Sequence, residues 1–283
     1  MIERWLVVTD LDGTLLNHHD YSVEAALPRL KQLQQQQIPV ILNTSKTLKE
    51  LRKIVRDLHI PHPFIAENGS VIYLPEHYFM DSNAAAQQPI EIEQLEYREI
   101  ILGIELDTIQ DFIRQYKPDA INFIDCPLEQ AIEITGLTRE DALAARQRHF
   151  SVPLMFTDSE QERKFSAQAQ AAGFATLKGG RFLHVQGQVD KARALKILKQ
   201  HYSDHFKAET GVLALGDGAN DVAMLEQADI AVVVHSPSSS HIQLVRTDTI
   251  YTQQEAPEGW AEGVGRAFEL IQLYYPKQNK LQE

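Results

Sequence analysis

The chain has 283 residues, 43% of them hydrophobic and 23% charged, and a formal net charge of −12. That length suits one large or two moderate domains. The acidic balance, with no Lys/Arg-rich run, excludes the basic footprint that nucleic-acid or anionic-membrane contacts need. The lone cysteine, Cys126, excludes an internal disulfide framework.

The N-terminus, MIERWLVVTD, carries an acid before a short apolar run and lacks a cleavage-like tail, so it does not read as a signal peptide. No apolar segment approaches the roughly 18 residues of a membrane span. Together with the single cysteine, which reads as a small packed hydrophobe, this points to a cytoplasmic protein.

Leu6–Thr9 is a continuous apolar run, as expected of a parallel strand covered on both faces, and it ends in Asp10 and Asp12. A helical pattern follows over Val23–Gln37, with Pro28 expected to kink or restart it. Its glutamine-rich end reads as a solvated helix terminus. Pro39–Thr44 is a second buried strand. Thr47 with Glu50 three positions later makes a capping box for a helix carrying Leu48, Leu51, Ile54, Val55 and Leu58. Phe64–Ala66 is a third strand, Asn68-Gly69 a turn, and Val71–Leu74 the return. Ser82–Gln88 is small and polar, as in a linker.

Beyond it short strands mix with helices, including Thr138–Arg148 and a strand over Arg181–Gln186. The α/β rhythm then resumes with a helix from Lys191 to Tyr202, a strand at Val212–Leu215, a helix at Asn220–Gln227 and a strand at Ile230–Val234. The expected fold is a doubly wound α/β core, residues 1–82 and 190–283, interrupted by an inserted α+β unit, 83–189. A once-inserted unit crosses at two points, here Ser82–Ala86 and Gln188–Asp190, where a closing cap would hinge.

In open parallel sheets ligands bind beyond the carboxyl ends of the strands. Four strands end there in polar groups: Asp10 and Asp12, Thr44-Ser45-Lys46, Glu67-Asn68-Gly69, and Gly216-Asp217-Gly218-Ala219-Asn220-Asp221. Gathering Asp10, Asp12, Asp217 and Asp221 is destabilising without a cation, and Mg²⁺ is the ion that takes a few carboxylates plus phosphate and waters. The set suits phosphoryl transfer through a covalent carboxylate. Asp10 would be the nucleophile and Asp12, pointing to the same side, the general acid and base. Thr44 would donate to a phosphate oxygen, and Lys191 would offset the developing charge. Taken singly, each feature has a structural reading: DxD as a turn, Lys191 as a solvated helix residue, and GDGAND as a loop with Asn220 as N-cap.

These motifs resemble the haloacid-dehalogenase superfamily of phosphatases with an inserted α/β cap: DLDGTLL, the strand ending in Thr44, Lys191 and GDGANDVAML fill its four motifs. NTSKT, PFIAENG, Thr135-Gly136-Leu137, KGGRFLHVQG, DKARAL and PEGW are similar to mannosyl-3-phosphoglycerate phosphatases. That resemblance implies hydrolysis of mannosyl-3-phosphoglycerate with Mg²⁺. It also implies substrate contacts from Lys46, Asn68, Gly69 and Asn220 in the core, and from Arg148, Gly179, Gly180 and Arg181 in the cap. One segment departs from the family's Arg-Glu-(aromatic)-Ser-Glu-Pro: His149 and Val152 stand where the family has acids, which points to a different substrate if those acids recognise sugar hydroxyls. Glucosyl-3-phosphoglycerate, sucrose phosphate and simple hexose phosphates are alternative substrates. A receiver-like phosphorylation switch shares the acids, hydroxyl and lysine, but needs no insertion of roughly 100 residues.

Overall fold

The computed structural model describes residues 2–79, 95–237 and 242–274. The expected linker Ser82–Gln88 and the first hinge, Ser82–Ala86, lie outside these residues. The strands, in chain order, are β1 (Arg4–Thr9), β2 (Val40–Leu42), β3 (Phe64–Ala66), β4 (Val71–Pro75), β5 (Tyr97–Ile101), β6 (Ile121–Asn122), β7 (Ser151–Met155), β8 (Ala175–Gly179), β9 (Phe182–Gln186), β10 (Thr210–Gly216), β11 (Ile230–His235) and β12 (Thr249–Glu255). The α-helices are α1 (Leu27–Gln35), α2 (Leu48–Asp57), α3 (Leu106–Tyr116), α4 (Leu128–Thr135), α5 (Arg139–Ala145), α6 (Ser159–Ala171), α7 (Lys191–Phe206), α8 (Val222–Gln227) and α9 (Glu258–Tyr274).

The core is a parallel sheet in the order β12-β11-β10-β1-β2. Its apolar runs are continuous because alternate residues feed different layers. Trp5 and Val7 join Val40, Leu42, Leu213 and Leu215 on one face, against Leu30, Leu51 and Trp260. Leu6 and Val8 join Ile41, Val212 and Ala214 on the other, against Leu195, Leu198 and Met224. This is the doubly wound architecture expected. Pro28 restarts the helix: a 3₁₀ turn at Glu24–Ala26 precedes α1, and the proline occupies its first turn, where a missing N–H costs nothing. The capping box forms as expected, Thr47 Oγ1 accepting from Glu50 N–H and Glu50 Oε2 from Thr47 N–H.

A parallel bridge, Asn43 to Ile65, carries the edge of the sheet on to an antiparallel β3-β4-β5 unit. Strand β5 pairs with β4 from Val71–Ile101 to Pro75–Tyr97, although the sequence places it in the insertion. The chain leaves this unit at Leu102 and Gly103, whose N–H groups both donate to Ser70 O, each at 2.8 Å. A separate antiparallel sheet, β6-β7-β9-β8, follows. One of its faces is sealed by Ile109, Phe112 and Ile113 of α3 and Phe165 of α6, packed on Val152, Leu154, Leu183 and Val185. Thr138 caps α5, which is shorter than the expected Thr138–Arg148. Among the described residues no helix is long and apolar enough to cross a membrane. Burial raises the Cys126 thiol pKa, in keeping with a packed side chain rather than an activated nucleophile.

Candidate active site

The carboxyl ends of β1 and β10 adjoin, because the strands pair in register from Arg4–Thr210 to Thr9–Leu215. This brings Asp10, Asp217 and Asp221 together. One carboxylate oxygen from each lies within 4.8 Å of the others, and all three residues are buried. Lys191, at the start of α7 and fully buried, donates to Asp10 Oδ1 at 2.7 Å and to Asp221 Oδ1 at 2.6 Å. The position of the glycine after the DxD pair follows from this crowding. Gly13 has φ +76°, and a Cβ there would stand 2.6 Å from Asp217 Oδ2.

One ammonium cannot balance three carboxylates. Burial, joined by repulsion from Asp221, Asp217 and Asp12, pushes Asp10 up to about 8 against the attraction of Lys191. Burial and Asp221 push Asp217 up to about 6, moderated by hydroxyls from Ser236 and Thr14. Burial alone would lower Lys191, but Asp10 and Asp221 overcome it and hold the lysine protonated. Such a buried excess of oxygen charge fits a hard divalent cation of the Mg²⁺ type.

Asp12 stands apart from this cluster. Its carboxylate pairs with Lys46 Nζ at 2.8 Å rather than joining the three acids with which the sequence grouped it as a metal ligand. Lys46 also lies 3.8 Å from Glu50, and its ammonium rests 5.1 Å from the Tyr21 ring centroid. Thr44 is fully buried beside this pair, its hydroxyl accepting from Lys46 N–H at 3.3 Å. Asn220 does not cap the following helix. It lies in a 3₁₀ turn, and its amide donates to Asn68 Oδ1 at 3.3 Å. Asp221 closes the start of that 3₁₀ turn, its Oδ2 accepting from Asp217 and Gly218 N–H, and no side chain caps the helix that follows.

The turn after β3 joins the core to the inserted sheet. Glu67 and Asn68 both have left-handed backbones, φ 46° and 55°, which for non-glycine residues require a compensating structure. Glu67 supplies it, although the sequence reading passed it over. Its buried carboxylate accepts from His149 N–H (2.9 Å), Phe150 N–H (3.1 Å) and Ser151 Oγ (2.6 Å). Arg148 donates to Ser45 O and Ser151 Oγ, so it ties the insertion to the core strand tip. Gly69, with φ +94°, packs against the start of α7, where a Cβ would meet Asp190 O at 2.0 Å.

Strand β7 turns Ser151 toward Glu67 and Val152 the opposite way, into the sealed apolar layer. The family acid replaced by Val152 therefore corresponds to a position facing away from the core strand tips. His149 reaches Glu67 through its backbone N–H, which any residue supplies. Gly179 and Gly180 end the β8–β9 hairpin, and the exposed Arg181 guanidinium donates to Ile134 O. Arg181 is near enough for its charge to act on the Tyr21 hydroxyl, as do those of Asp12, Lys46 and Glu50.

Sequence reasoning missed Thr14, whose hydroxyl donates to Asp217 Oδ1 at 2.9 Å, though it lies inside the DLDGTLL motif. It also missed Asn43, which donates to Lys191 O at 3.1 Å, and His184, buried on the inner face of β9. Burial, with the charges of Arg148, Lys191 and Lys178, lowers His184 to about 3, so its ring is neutral.

Comparison with known proteins agrees with this geometry. The haloacid dehalogenase-like hydrolase family matches residues 7–256. A relative from Persephonella marina, named glucosyl-3-phosphoglycerate/mannosyl-3-phosphoglycerate phosphatase, is 33% identical over 270 residues, 94% of this chain and 98% of its own. One of the same name from Methanococcoides burtonii is 32% identical over 271 residues, 92% and 96% of the two chains. Among solved structures, one from Thermoplasma acidophilum superposes with a TM-score of 0.63 at 17% identity, covering 96% of this chain and 100% of that one. The phosphatase BT1666 of Bacteroides thetaiotaomicron, from the same superfamily, gives 0.63 at 19% identity, covering 95% of each.

Proposed function

The chain belongs to the haloacid dehalogenase-like hydrolase family and is a phosphoric monoester hydrolase, and from that premise we propose that it hydrolyses glucosyl- and mannosyl-3-phosphoglycerate with Mg²⁺. The observation that carries the reading is the convergence of Asp10, Asp217 and Asp221 on Lys191 at the strand tips. The substrate follows the names of two relatives that align with this chain over nearly their whole lengths.

Asp10 attacks phosphorus and the bond to the leaving oxygen breaks, while Asp12 gives that oxygen a proton. Asp12 then takes a proton from water as the water attacks the aspartyl phosphate, which releases phosphate and regenerates Asp10. Lys191 and Thr44 steady the phosphoryl oxygens. Asp10, Asp217 and Asp221 would hold Mg²⁺, which when bound neutralises the anionic cluster and the phosphoryl oxygens. Lys46 sits beside Asp12 on the leaving-group side. The inserted unit, anchored through Arg148 and the Glu67 junction, acts as a cap over the sugar-acid, with Asn68, Gly69, Asn220 and the Gly179-Gly180-Arg181 hairpin along its border. A cytoplasmic setting accords with the single cysteine.

The test is phosphate release with Mg²⁺ from mannosyl-3-phosphoglycerate, glucosyl-3-phosphoglycerate, sucrose 6-phosphate and hexose phosphates, with Asp10→Asn as the blank. Preference for the two glycosyl-phosphoglycerates is expected. Preference for sucrose 6-phosphate or free hexose phosphates would overturn the substrate, and no release above the blank would overturn the chemistry.

A further inference from the structure

Tyr21 is a large aromatic side chain held 43% exposed. Its backbone is left-handed, φ 59°, a conformation that is an outlier for a bulky residue and that persists only where neighbouring structure enforces it. The loop does enforce it. Asn17 N–H donates to Ser22 O (2.9 Å) and Tyr21 N–H to Asn17 O (3.1 Å). His19 N–H donates to Asn17 Oδ1 and Ser22 N–H to Asp20 Oδ1. Asn17 Nδ2 anchors the loop to Ala256 O at 3.1 Å. Among the described residues no apolar core cluster includes this ring, yet the loop backbone that carries it is fixed.

That place has a chemical direction. Asp10 marks where phosphorus is attacked, and Asp12 where the leaving oxygen is protonated. Asp12 pairs with Lys46, and Lys46 lies against the Tyr21 ring. The ring therefore stands on the side of Asp12 to which the leaving oxygen would be released, next to Lys46. One side of an aromatic ring offers an apolar surface that suits the C–H face of a pyranose, and its hydroxyl can exchange hydrogen bonds with a polyol.

We propose that Tyr21 is a specificity-determining residue whose ring stacks on the glycosyl ring of the substrate's leaving group. This rests on the phosphomonoesterase reading above and deepens it: the site is shaped for a phosphoglycerate bearing a sugar rather than for the bare acid. A rigid aromatic at this point adds affinity for the sugar without touching the phosphoryl group.

The experiment compares wild type, Tyr21→Ala and Tyr21→Phe on glucosyl-3-phosphoglycerate and on 3-phosphoglycerate, which lacks the sugar. Binding of the dephosphorylated product, glucosylglycerate, is measured separately by calorimetry. Tyr21→Ala is expected to raise KM for the glycosylated ester about tenfold, the size of one aromatic stacking contact, with kcat little changed. It leaves 3-phosphoglycerate hydrolysis as in wild type and weakens glucosylglycerate binding by the same factor. Tyr21→Phe restores most of both. Equal losses on the two phosphate esters, or no loss on either, would overturn the proposal. If no ester is hydrolysed but glucosylglycerate binding depends on Tyr21, the stacking role stands and the phosphatase reading fails. If hydrolysis is normal and binding ignores Tyr21, the reverse holds.

Discussion

Two buried carboxylates show the division of labour in this molecule. Asp10 and Glu67 both sit at strand tips on the same edge, 6% and 2% exposed. Glu67 is satisfied by two backbone N–H groups and a hydroxyl from the inserted unit. Asp10 shares one lysine with Asp221, and its carboxyl is pushed up to about 8 by burial and its acidic neighbours. One carboxylate spends its charge on holding two parts of the chain together. The other is kept in a state that costs stability, as a group poised for chemistry is.

Replacing Asp10 is the sharpest way to break this contrast. Asp10→Asn removes the proposed nucleophile and should lower phosphate release by about 10⁴-fold or more. It also replaces a buried carboxyl whose ionisation its neighbours oppose, so its thermal midpoint without divalent metal should equal or exceed that of wild type. A marked fall in that midpoint would contradict the account. Glu67→Ala should behave in the opposite way. It strands two buried N–H groups and the Ser151 hydroxyl, which should cost about 3–5 kcal/mol in denaturant unfolding. A cost below about 1 kcal/mol would show that the junction contributes little to stability.

Metal dependence tests the acidic side. Mg²⁺ should raise the wild-type melting temperature, because a ligand that binds only the folded state stabilises it by mass action. Asp217→Asn should lose most of that rise while folding normally without metal. An unchanged Mg²⁺ response in this variant would remove Asp217 from the ligand set. The smallest effect lies on the inserted sheet. His184 is lowered to about 3 by burial, and Arg148, Lys191 and Lys178 add to the shift. Below about pH 6.5 the unfolded chain gains a proton there that the folded chain refuses, so stability is lost as pH falls from about 6.5 towards 3. The contribution to the slope is about 1.4 kcal/mol per pH unit, and His184→Gln should remove it from unfolding curves measured between pH 7 and 5.

What was legible in the sequence follows the same division. The apolar strands with polar tips could be read directly, because a strand buried on both faces leaves a continuous signal and the doubly wound fold puts those tips on one edge. Asp10, Asp217, Asp221 and Lys191 are brought together as that logic requires. Side-chain pairing was not legible. Asp12 pairs with Lys46, a contact that its spacing from Asp10 does not announce. Glu67 meets partners 82 to 84 residues away, a contact that no local pattern encodes. Val152 shows the same limit, since the direction of a strand residue depends on a register set by its neighbours in the sheet. The place of β5 was not legible either, because its register with β4 is set across the sheet and not by local pattern.

The account turns on Asp10 becoming phosphorylated. The most direct measurement is rapid acid quench of the Mg²⁺-loaded protein during turnover of glucosyl-3-phosphoglycerate, followed by peptide mass spectrometry, in wild type and in Asp12→Asn. The account predicts a phosphoryl group on the peptide carrying Asp10 in the wild type, and in Asp12→Asn a group that forms more slowly and is lost more slowly, because Asp12 assists both steps. Phosphate release from the wild type with no phosphorylated Asp10 peptide in either protein would contradict it.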